Sequence, residues 1–79
     1  MAERTTSDDV MTRAELASYL SSLAQEFDDG NEEIAVAVGN KTVSLSPPEN
    51  VNASVDVVER SSILRGERET ITIELSWKP

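Results

Sequence analysis

The chain has no cysteine and no histidine. The first absence excludes disulfides and thiolate metal sites. The second removes the commonest general base and the commonest metal ligand. Lysine is scarce as well, limited to Lys41 and Lys78. The aromatics are Tyr19, Phe27 and Trp77 alone. No apolar run approaches the ~20 residues needed to cross a bilayer, so no membrane partner is expected. The opening Met1-Ala2-Glu3-Arg4-Thr5-Thr6-Ser7-Asp8-Asp9 lacks the charged-then-apolar layout of a signal peptide. A cytoplasmic location is the expectation that follows.

What is present is mostly negative charge. Fifteen Asp and Glu face seven Lys and Arg, a net charge of −8 over 79 residues. Surplus carboxylate with little lysine suits a surface bathed in concentrated salt. At ~1 M salt the Debye length is about 3 Å, so self-repulsion is screened. A halophilic cytoplasm is the expected setting; an ordinary acidic protein, or one with a basic partner, is the plainer alternative. The same charge argues against nucleic acid as a partner, because phosphate contacts need clustered Lys and Arg.

A chain of this length supports one modest core and buries roughly 60% of its unfolded surface. Residues 1–11 read as a loose acidic and polar N-terminal tail, and 12–79 as a single domain. Thr12-Arg13-Ala14-Glu15 matches a capping box. Leu16, Tyr19, Leu20, Leu23, Ala24 and Phe27 then recur at three- and four-residue steps, which predicts a helix of roughly four turns with one apolar stripe. Gly30 sits where a left-handed C-terminal cap is wanted. Alternation predicts strands at 34–38, 42–46, 51–58 and 69–77. Gly39-Asn40 marks a hairpin turn between the first two, although the order Asn-Gly is the stronger signal. Arg65-Gly66 is the expected turn in the ambiguous stretch 59–69, with Arg60-Ser61-Ser62 as the competing position. Short connections favour a four-stranded antiparallel meander. The fold class is α+β, with the N-terminal helix packed on the apolar sheet face. That face is expected to carry Ile34, Val36, Val38, Val43, Leu45, Val55, Val57, Ile71, Ile73, Leu75 and Trp77.

The segments Met11-Thr12-Arg13-Ala14-Glu15-Leu16-Ala17-Ser18-Tyr19-Leu20, Val43-Ser44-Leu45-Ser46-Pro47-Pro48 and Ile73-Glu74-Leu75-Ser76-Trp77-Lys78-Pro79 resemble the amphi-Trp domain family of small haloarchaeal proteins. The resemblance covers residues 11–79, and its Leu-Ser-Trp element is the most specific part. It departs from the family pattern at 59–69, where a shorter, more acidic hairpin is expected. The resemblance implies a helix on a small sheet, agrees with the halophilic reading, and implies no established activity and no residues to carry over.

Candidate sites are few. Asp28-Asp29-Gly30-Asn31-Glu32-Glu33 concentrates oxygen ligands near a helix C-terminus, where the dipole favours a cation. Its spacing does not match an EF-hand loop, so a solvated acidic turn is favoured and no metal site is assigned. Arg60, Arg65 and Arg68 are candidate anion contacts. Glu59, Glu67 and Glu69 lie among them, so cross-strand ion pairs explain the same residues. Trp77 could stack a flat ligand, but its alternation with Ile71, Ile73 and Leu75 favours a core plug. Asn40-Lys41-Thr42 and Asn52-Ala53-Ser54 fit the glycosylation sequon, discounted for want of a signal peptide. No histidine stands ready to activate a serine, so no enzyme and no cofactor are expected.

The expected function is a non-catalytic protein-interaction module that pairs with itself as a homodimer or with another protein. The surface that motivates this is a weakly polar second sheet face holding Ala35, Ala37, Ser44, Ser46, Ser54, Val58, Thr70, Thr72 and Ser76. The alternative is a small-molecule or anion-binding domain using the helix–sheet crevice or the arginine hairpin.

Overall fold

The computed structural model describes residues 3–64 and 66–79. The element order is helix α1 (Arg13–Asp28), then strands β1 (Ile34–Val38), β2 (Lys41–Leu45), β3 (Asn52–Ser62) and β4 (Gly66–Ser76). The chain forms two units, one ending at Pro47 and the other spanning Pro48–Lys78.

In the first unit, the helix starts as the sequence dictates. The Glu15 backbone N–H donates to Thr12 Oγ1, and the Thr12 N–H donates to Glu15 Oε1, both at 3.1 Å. The helix ends at Asp29, whose N–H donates to the Gln25 carbonyl at 3.0 Å. Gly30 follows in the left-handed region (φ 71°), as expected of a glycine after the cap. Strands β1 and β2 pair antiparallel from Ile34↔Leu45 to Val38↔Lys41, leaving a two-residue loop. Gly39 has φ 62°, and among the described residues only glycines have positive φ. One positive φ at the first loop position is the mark of a type II′ turn, which wants glycine first. That explains why Gly-Asn, rather than Asn-Gly, serves here. The N-terminal segment reaches this turn: a β-carbon added at Gly39 would lie 3.0 Å from Ser7 Oγ.

The second unit is one long hairpin. Strands β3 and β4 pair antiparallel over eleven positions, from Asn52↔Ser76 to Ser62↔Gly66. The closing turn runs through Ile63 and Leu64. The expected turn at Arg65-Gly66 lies partly outside the described residues, because Arg65 is not described; Gly66 has φ 76°.

The single meander is therefore corrected to two separate two-stranded antiparallel sheets, β1-β2 and β3-β4. Pro47 and Pro48 occupy the link between β2 and β3, and proline has no N–H to donate to a ladder. Strand length separates the pairs as well, since β1 and β2 have 5 residues each and β3 and β4 have 11. The expected apolar face survives within each hairpin but as two faces. Ile34, Val36, Val43 and Leu45 share one side of the first, and Val55, Val57, Ile71, Ile73 and Leu75 one side of the second.

Helix packing needs a matching correction. The stripe was expected on a broad sheet, but α1 meets β1. Leu16 and Leu20 remain 47% and 44% exposed, while Tyr19, Leu23 and Phe27 are half-buried. Two short strands offer too narrow a surface to cover four helical turns. Among the described residues Ile34, at 2% exposure, is the one buried hydrophobic side chain. Trp77 lies one residue beyond β4 and is half-buried.

Candidate interaction surface

The β3-β4 hairpin sorts its side chains by parity. Side chains alternate along each strand, and directly paired residues share a side. One side holds the pairs Ala53↔Leu75, Val55↔Ile73 and Val57↔Ile71, followed toward the tip by Glu59↔Glu69 and Ser61↔Glu67. The other holds Ser54↔Glu74, Asp56↔Thr72, Val58↔Thr70 and Arg60↔Arg68. β-branched residues in facing rows suit a pleated surface, which is why this stretch pairs as a long ladder.

The apolar side is open to solvent. Val55 is 68% exposed, Val57 61%, Ile71 70%, Ile73 55% and Leu75 41%. Scattered exposed aliphatics are ordinary; here they form contiguous rows on one side of a ladder. Three carboxylates bound it at the tip.

The candidate anion contacts fall on the opposite side. Arg60 and Arg68 are exposed and directly across from one another. Arg65 lies outside the described residues. The glutamates that were expected to pair with these arginines point to the other side of the ladder, so like faces like at both positions. The weakly polar second face is corrected too. Ala35, Ala37 and Ser44 belong to the first hairpin, while Ser54, Val58, Thr70, Thr72 and Ser76 belong to the second, so they form no continuous sheet face.

In the first unit, an open cleft of about 450 Å³ separates α1 from β1, lined by Glu15, Tyr19, Leu23, Glu26, Ala35 and Ala37 among others. Its ionisable side chains already have hydrogen-bond partners. Ala35 N–H donates to Glu26 Oε1 at 2.8 Å, and Tyr19 Oη–H donates to the Ala37 carbonyl at 2.7 Å. Both backbone groups point off the outer edge of β1, so the helix closes an edge that would otherwise invite another strand. These contacts join residues nine and eighteen apart, with no signature in the sequence. Glu15 is held below its usual carboxyl value of 4.5, first by the Thr12 N–H and then by the Thr12 hydroxyl. Asp29 Oδ1 accepts from Gln25 Nε2 at 2.8 Å. Among the described residues no three acidic side chains gather in a way that could hold a metal ion. Among them, too, no helix is long and apolar enough to cross a membrane.

A family model described as Amphi-Trp domain matches residues 1–79, the whole chain. No curated protein and no solved structure matches it.

Proposed function

The chain belongs to the Amphi-Trp domain family, and on that premise we propose that it is a small, non-catalytic protein-interaction module of a halophilic cytoplasm. Its working surface is the apolar side of the β3-β4 hairpin. The observation that carries this reading is the run of five aliphatic side chains, 41–70% exposed, in facing rows on one side of a ladder. Burying such side chains is worth roughly 1.5–3 kcal/mol each, which gives a partner a strong reason to cover them.

The test compares baits. Immobilised wild-type chain and an Ile73→Asp variant are offered the same native extract at molar salt. Proteins held by the first and released by the second support the surface. An identical set on both baits would remove it. Because Ile73 is already more than half exposed, the substitution should leave the hairpin intact by circular dichroism.

A second reading rests on a different observation, the placement of Arg60 directly across from Arg68. Like charges at facing positions disfavour the ladder, and an oxyanion between two guanidinium groups would offset that. Phosphate titration followed by NMR should then perturb Arg60 and Arg68 together, and the response should vanish in Arg60→Gln.

A further inference from the structure

We infer that the occupant of the apolar hairpin face is a second copy of this chain, packed face to face about a two-fold axis with the two hairpin tips at opposite ends. The inference rests on the interaction-surface reading above and adds the identity and orientation of the partner.

Area comes first. The five aliphatic side chains at 41–70% exposure present on the order of 500 Å², near the upper end for a lone monomer patch. Two copies together bury about 1,000 Å², the threshold for a specific interface. The face is also built to meet its own kind. It has facing rows of Val, Ile and Leu, and sheets that stack face to face sit about 10 Å apart with interdigitating side chains.

Charge then sets the orientation. All of the charge on this side of the ladder lies at the tip, in Glu59, Glu67 and Glu69. Two copies packed with tips together would gather six carboxylates at one end of the interface. Turning one copy end for end separates them. With the Val55↔Ile73 pair at the centre, Glu69 lies four residues to one side of Ile73 and Trp77 four residues to the other. The tip carboxylates of each copy therefore arrive at the open end of the other, away from their counterparts. Glu59 facing Glu69 is already unfavourable within one hairpin, and the end-for-end arrangement avoids adding to that repulsion.

The absence of cysteine makes the test clean. A Ser61→Cys variant carries one nitroxide label at the tip, and inter-label distance is measured by pulsed electron spin resonance in molar potassium chloride. Light scattering on the unlabelled chain gives the mass. The expected result is a dimer with labels about 40 Å apart, since residue 61 lies six residues from the centre at ~3.3 Å per residue. Ile73→Thr keeps a β-branched side chain and should weaken the dimer at least tenfold without unfolding it. A dimer with labels within about 15 Å would overturn the orientation. A monomer up to near-millimolar protein at molar salt would overturn the second copy as occupant, while the bait comparison would still decide whether the face binds a different protein.

Discussion

The helix begins where it does because Thr12 and Glu15 exchange hydrogen bonds, each holding a backbone N–H that the helix itself leaves unpaired. Thr12→Ala should therefore destabilise the first unit by about 0.5–2 kcal/mol in urea denaturation. The pH dependence follows from the same pair. Glu15 titrates below its ordinary 4.5 in the folded chain. Its stabilisation is fully present above that unfolded value and is lost as pH falls through the lowered folded value. Glu15→Gln should remove this part of the acid sensitivity, seen as a flatter helix signal by circular dichroism below pH 4.5. These effects were legible in four consecutive residues because capping is local chemistry.

At the scale of elements, the outer edge of β1 depends on side chains far away in sequence. Glu26 holds the Ala35 N–H and Tyr19 holds the Ala37 carbonyl. Truncating Glu26 to Ala leaves that N–H to water and should cost about 1–2 kcal/mol. The local reading is amide exchange: Ala35 should exchange roughly tenfold faster in Glu26→Ala, with the Val36 amide much less affected. An Ala35 amide that exchanges fast in the wild type would contradict this account. The tip of the β3-β4 hairpin teaches a different lesson. Reading Arg60, Arg68 and their neighbouring glutamates as cross-strand ion pairs missed that the arginines hold even positions and Glu59, Glu67 and Glu69 odd ones. In this register paired positions share parity, so the alternation alone parts the two signs.

For the whole molecule, charge and exposed apolar surface pull in opposite directions. A net charge of −8 resists association in dilute buffer, while the open hairpin face favours it. Raising potassium chloride from dilute to molar should therefore raise the thermal midpoint, because screening relieves repulsion among carboxylates such as Asp28, Asp29, Glu32 and Glu33. A midpoint that stays flat or falls across the series would count against the halophilic setting.

The sequence by itself determined the family, the helix and its caps, the four strands and the apolar side of each. All of these rest on periods of two or 3.6 residues and on turn chemistry within a few positions. Only the tertiary structure decided that β2 and β3 do not pair, that α1 lies along β1, and that Arg60 meets Arg68 across the ladder. Alternation says which side of a strand is apolar, but it is silent on which strand lies beside it. That choice depends on how backbone donors and acceptors are shared between distant segments. Here two prolines and a mismatch of strand lengths turned it toward two hairpins.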